Sequence, residues 1–164
     1  MPARLRAWYT AAEIEALAAR RASLSGVYSV ADMDRLVAHV GTDSGEIAVS
    51  VRLKPQAAGW VALALEIHTC LDVTCQRCLE PLALEISERV EFGVLIDENS
   101  VGALPDGIEP IDFDGDRLSL LQLTEDETIV AVPLVPKHDP AHCAVDTSAL
   151  TDGVVSQGST TGTH

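Results

Sequence analysis

Cys75 and Cys78 frame the segment Cys75-Gln76-Arg77-Cys78-Leu79-Glu80-Pro81, and Cys-x-x-Cys is a spacing at which two thiolates grip one metal ion or form a redox dithiol. A second supply of soft ligands lies far downstream, in Pro133-Leu134-Val135-Pro136-Lys137-His138-Asp139-Pro140-Ala141-His142-Cys143. Cys75, Cys78 and Cys143 with one histidine would give the four sulfur and nitrogen donors of a closed tetrahedral zinc site. His142 adjoins Cys143, which makes it hard for both to reach one ion. Cys70 is a rival fourth ligand, but it precedes the pair on an incoming strand and is expected to point along the hairpin and away from its tip. Such a zinc would be structural, tying the C-terminal segment to the sheet. The alternative is that the cysteines are packed, reduced and metal-free, and that the histidines cap loop carbonyls. A catalytic dithiol is disfavoured, because it normally opens a helix whose N-terminus stabilises the thiolate. Here Pro81 and an alternating run follow.

These residues also carry a family resemblance. The knuckle Cys75-Gln76-Arg77-Cys78-Leu79 is followed by Leu104-Pro105, Glu109-Pro110-Ile111, Asp116, Glu125-Asp126-Glu127, Val132-Pro133-Leu134-Val135-Pro136, His138 and Cys143. In order and spacing this resembles the YceD (DUF177) family, over roughly residues 26 to 143. The resemblance singles out His138 as the fourth ligand beside Cys75, Cys78 and Cys143. It also implies a bacterial cytoplasmic protein needed for accumulation of the 23S RNA of the large ribosomal subunit. It defines no molecular activity.

The charge balance narrows how such a protein could meet RNA. The chain has 11 Lys and Arg against 25 Asp and Glu, a net charge of −14. Phosphate neutralisation supplies much of the affinity of RNA binders, so the overall field here repels RNA. Either a local basic patch overrides that field, or the link to RNA runs through a basic ribosomal or RNA-processing protein. Arg77, at the turn between the cysteines, could fork onto a phosphate or a carboxylate, or pair locally with Glu80 or Asp72. Arg52, Lys54 and Arg89 could form one patch, and Arg4, Arg6, Arg20 and Arg21 another. No aromatic ladder offers stacking for single-stranded bases.

The elements that must position the cysteines are legible in the hydrophobic period. Thr10-Ala11-Ala12-Glu13 has capping-box spacing and predicts a helix to about Arg21, with Ile14, Leu17 and Ala18 inward. Leu24 to Gly26 reads as a break. Ser29-Val30-Ala31-Asp32 opens a short helix to about Val40, with Met33, Leu36 and Val37 on one face and Gly41 after its end. From Gly45 the period becomes two: Ile47, Val49, Val51 and Leu53 mark one strand. After a turn at Pro55 to Gly59, Trp60 to Thr74 marks a second, and Leu82 to about Ile96 a third. These three antiparallel strands are expected to form the main sheet, with the knuckle at a hairpin tip. Glu98 to Asp116 reads as a loop. Asp116 is expected to cap a helix from Arg117, lined by Leu118, Leu121 and Leu123; Thr128 to Val132 either ends it or starts a final strand, and Pro133 and Pro136 stop regular structure.

The acidic stretch from Asp97 to Glu127 offers two further readings. Asp112, Asp114 and Asp116 alternate as magnesium ligands of a ribonuclease would, although charge runs mostly form solvated loops. Glu125, Asp126 and Glu127 read first as a partner-binding surface, together with Arg77, and a distant second as a magnesium site. The expected fold is a single α+β domain over residues 1–146, with an antiparallel sheet, N-terminal helices and one C-terminal helix. Residues 147–164 are rich in Ser, Thr and Gly and read as a disordered tail. The apolar stretches are too short to span a membrane, and the N-terminus lacks the apolar core of a secretory signal. A cytoplasmic, reducing location is expected, with thiols free or metal-bound. The leading expectation is a non-enzymatic accessory factor for 23S ribosomal RNA, and the alternative is a metal-dependent ribonuclease acting on its precursor.

Overall fold

Strict alternation of branched apolar residues drives the centre of the molecule. A computed structural model describes residues 3–57, 59–97, 99, 102 and 104–144, so the expected tail lies outside the described residues. In chain order the elements are β1 (Ala3–Arg4), β2 (Trp8–Thr10), α1 (Ala11–Ala19), β3 (Ser23–Ser29), α2 (Asp34–Val40), β4 (Glu46–Pro55), β5 (Trp60–Thr74), β6 (Pro81–Leu95), β7 (Glu109–Ile111), β8 (Arg117–Ser119) and α3 (Leu120–Ala131). Turns of 3-10 helix lie at Val30–Asp32 and Pro140–His142.

The main sheet runs β1-β3-β4-β5-β6-β7, and β2 pairs with β8 in a small second sheet. The central pairs are antiparallel, as expected, while the edge pairs β1/β3 and β6/β7 are parallel. Ile47, Val49, Val51, Leu53, Leu63, Leu65, Ile67 and Leu71 are buried on the inner face. Each such side chain contributes about 1.5–3 kcal/mol on burial. Helix α1 lays Ile14, Leu17 and Ala18 onto this core, and α2 adds Leu36. The Thr10 capping box forms as read, and Gly41 takes the left-handed conformation after α2 with φ 79°.

Four expectations are corrected. Ser29 caps only the 3-10 turn Val30–Asp32, accepting from Ala31 N–H at 3.3 Å, and α2 begins separately at Asp34. Leu24 to Gly26 is no break but part of β3. Gly26 lets Leu5, just after β1, come close, because a Cβ there would sit 2.9 Å from that of Leu5. The loop between Glu98 and Asp116 contains β7, which pairs with β6, and the segment leading into it packs over Gly93. A Cβ at Gly93 would meet Leu104 and Ile108. Arg117 does not begin the helix: it lies in β8, and Ser119, not Asp116, caps α3 by accepting from Gln122 N–H at 3.2 Å. The buried face of α3 is Leu120, Thr124, Glu125 and Thr128, with Leu121 and Leu123 only partly buried and Leu118 in β8. Thr124 and Thr128 are tolerated there because each hydroxyl donates at 2.7 Å to the carbonyl four residues back.

Candidate metal centre

The β5/β6 hairpin is paired to its last register, Thr74 opposite Pro81, so Cys75 to Glu80 must close it as a tight tip. Cys75 N–H donates to Glu80 O, and Leu79 N–H to Cys75 O, each at 2.9 Å. Leu79 takes φ 62°, a left-handed position that usually goes to glycine. The C-terminal segment crosses this tip. Gln76 N–H donates to Pro136 O at 2.8 Å, which lays the Pro133 to Pro136 run against the knuckle and delivers His138 and Cys143 to it.

The ligand atoms of Cys75, Cys78, His138 and Cys143 all lie within 4.8 Å of one another. Donors around a tetrahedral zinc lie about 3.5–3.8 Å apart, so a small contraction of this group would hold an ion. Cys78 Sγ is 3.3 Å from His138 Nδ1. His138 Nε2 lies 2.9 Å from Pro81 O. A carbonyl only accepts, so Nε2 carries the hydrogen and Nδ1 presents its lone pair to the cysteines. Cys75 is fully buried. Burial pushes its thiol up, but the N–H groups of Cys78, His138 and Arg77 outweigh that and hold it at about 5. His138 N–H reaches Cys75 Sγ at 3.4 Å. Burial lowers the His138 imidazole, but the contact with Cys78 and the Pro81 carbonyl outweigh it, for a net rise. A proton and a metal ion therefore compete for the same corner of the cluster. These four residues form a group that could hold a metal ion.

Cys70 and His142 are exposed and outside this group. Among the described residues no other set of three or more histidine, cysteine or acidic side chains is so gathered, so Asp112, Asp114 and Asp116 do not converge. Asp114 instead bridges Arg117 through backbone hydrogen bonds. Arg77 is half-buried, and no ion pair to Glu80 or Asp72 forms among the described residues.

The family match and one relative bear on this site. The family described as large ribosomal RNA subunit accumulation protein YceD matches residues 63–161. A protein of that description from Haemophilus influenzae is 30% identical over 142 residues, covering 84% of this chain and 80% of its own length. The chain belongs to the YceD family. The YceD match contains all four residues of the cluster, together with α3. No solved structure matches the chain.

The proposed acidic surface divides. Glu125 is buried and bound to Arg35, so it does not face a partner. Asp126 is half exposed and also pairs with Arg35. Glu127 is partly buried, and its carboxyl is raised, first by burial and then by Glu109, Asp126 and Glu88. Sequence reasoning missed Glu88 and Glu109, which only the sheet order brings beside α3. It also missed Arg35, although Met33 cannot cap α2 by side chain, and that gap signals an outside acceptor. Among the described residues no helix is long and apolar enough to cross a membrane.

Proposed function

We propose that this protein is a non-enzymatic accessory factor in the synthesis, processing or stability of 23S ribosomal RNA, acting in the cytoplasm. Membership of the YceD family carries the reading, through the name of its Haemophilus influenzae relative. Zinc is the ion the cluster is proposed to hold, since three thiolates and one imidazole suit it better than a harder cation. Its role there is structural, joining the hairpin tip to the C-terminal segment.

The partner is a basic ribosomal or processing protein, met through Asp126, Glu127, Glu88 and Glu109. These carboxylates sit close enough to raise Glu127, so a cationic partner would relieve their repulsion. Deleting the gene should lower 23S RNA relative to 16S RNA, and the intact gene should restore it. Capture of the same basic protein before and after ribonuclease treatment would support the adaptor mechanism. Normal 23S levels in the deletion strain would refute the functional reading.

A further inference from the structure

Three of the 11 positive charges, Arg4, Arg6 and Arg20, line one hollow. β1 is one edge of the main sheet and β7 is the other. Glu109 lies on β7 and Glu88 on its neighbour β6, whereas Arg4 lies on β1. Arg4, Arg6 and Arg20 line a hollow of 270 Å3 whose apolar wall includes Leu17 and Leu24. Glu13 is the acid in that lining, and it is already engaged. It accepts from Thr10 N–H at 2.9 Å and pairs with Arg6 at 2.6 Å. Arg6 also lies over the Tyr9 ring, 4.4 Å from its centroid, so it is held from two sides.

What remains is uncompensated charge. Arg52 and Arg89 share Glu66, Arg35 is taken by Glu125 and Asp126, and Arg117 adjoins Asp116. Of the arginines without a carboxylate partner among the described residues, Arg4 and Arg20 line this hollow, Arg21 follows Arg20 in the chain, and Arg77 sits in the knuckle. The hollow is near the C-terminus of α1, whose dipole would oppose an anion. That end is closed, because Arg21 N–H and Ala22 N–H donate to the carbonyls of Ala18 and Leu17.

We propose that this hollow is a binding site for the phosphodiester backbone of single-stranded RNA. Arg4 and Arg20 fork onto phosphate oxygens, Arg6 fixes the lip, and the exposed Ala16 offers the apolar side of the sugar a small contact. The hollow is smaller than the ~300 Å3 at which enclosed small-molecule pockets begin, so it admits a backbone unit without enclosing a base. Tyr9, the ring in that lining, is 2% exposed and covered by Arg6, so the hollow offers no ring to stack a base. Binding is therefore independent of sequence. The choice of RNA rests on the ribosomal reading above, while the anion site rests on the arginines alone. With the acidic edge opposite, the protein would touch RNA and a basic protein at two ends of one sheet.

The test is binding of a short labelled single-stranded RNA of mixed sequence between about 50 and 200 mM salt. Arg4→Gln with Arg20→Gln should weaken binding about tenfold or more at the lowest salt. The slope of log affinity against log salt should become shallower by about 1.4, at ~0.7 for each phosphate that is no longer neutralised. Arg52→Gln with Arg89→Gln should change neither. Thermal melting should show each variant folded. Absence of RNA binding by the wild-type protein at the lowest salt, or an unchanged slope in the Arg4/Arg20 variant, overturns the proposal. If RNA binding fails while the deletion strain still loses 23S RNA, the site is wrong and the function stands. If the arginines bind RNA as described but 23S levels are normal, the site stands and the function falls.

Discussion

Glu125 caps the helix that carries Arg35, from 90 residues away in the chain. Its Oε1 accepts from the N–H groups of Arg35 at 2.7 Å and Leu36 at 3.1 Å, and its Oε2 accepts from the Arg35 guanidinium at 2.8 Å. These are first-turn N–H groups of α2, which Met33 leaves without a side-chain cap. One carboxylate thus serves as helix cap, ion-pair partner and joint between α2 and α3.

Glu125→Ala should destabilise the protein by about 2–3 kcal/mol, mostly through the two helix N–H groups left unpaired. Arg35 is half exposed, so solvent screens the ion pair itself. Burial pushes the Glu125 carboxyl up, but the Leu36 and Arg35 N–H groups and the guanidinium outweigh it and leave it below 4.5. The stability it supplies is therefore present above that value and lost as pH falls through the lowered one. Urea denaturation from about pH 6 to pH 3 should show a shallower acid loss for Glu125→Gln than for wild type. An equal loss in both would remove Glu125 as the source.

Freshly purified protein should carry close to one zinc per chain by elemental analysis. Cys75→Ser, Cys78→Ser, Cys143→Ser and His138→Ala should each lower that content, while Cys70→Ser and His142→Ala should not. Metal removal by a chelator should speed hydrogen exchange at the Gln76 amide, whose acceptor is Pro136 O. Protein free of metal under reducing conditions would leave the cluster as a packed thiol site.

Arg21 holds φ 51° at the position that closes α1, where glycine is the usual occupant. Arg21→Gly should raise stability by about 0.5–1 kcal/mol, since the side chain opposes the left-handed conformation. A fall in Tm would show that the Arg21 side chain makes a compensating interaction.

Glu109→Gln with Glu127→Gln should weaken capture of a basic partner, most at low salt, without unfolding the protein. Because Glu127 is raised, its folded state favours the protonated form, and that advantage is lost as pH rises through the raised value. Neutralising it should therefore leave stability at neutral pH equal or higher. Unchanged capture at low salt would move the partner surface elsewhere. Replacing Glu125 as well would confuse the test, because it removes the α2 cap.

What the sequence by itself determined is local. Period-two alternation from Ile47 to Leu53 and from Trp60 to Thr74 specifies which face of each strand is buried. Cys-x-x-Cys between two such runs has nowhere to sit but a hairpin tip, and the Thr10 and Gly41 signals depend on neighbours within a few residues. The tertiary structure decided what depends on partners far along the chain. β1, β7 and β8 are too short to show a period and exist only because another strand supplies their hydrogen bonds. Glu125, Asp126 and Glu127 look alike as a charge run, yet only the packing of α3 on α2 turns Glu125 inward. Arg4 and Arg20 converge because β1 pairs beside the strand that follows α1, and pairwise closeness of that kind leaves no mark in composition or spacing.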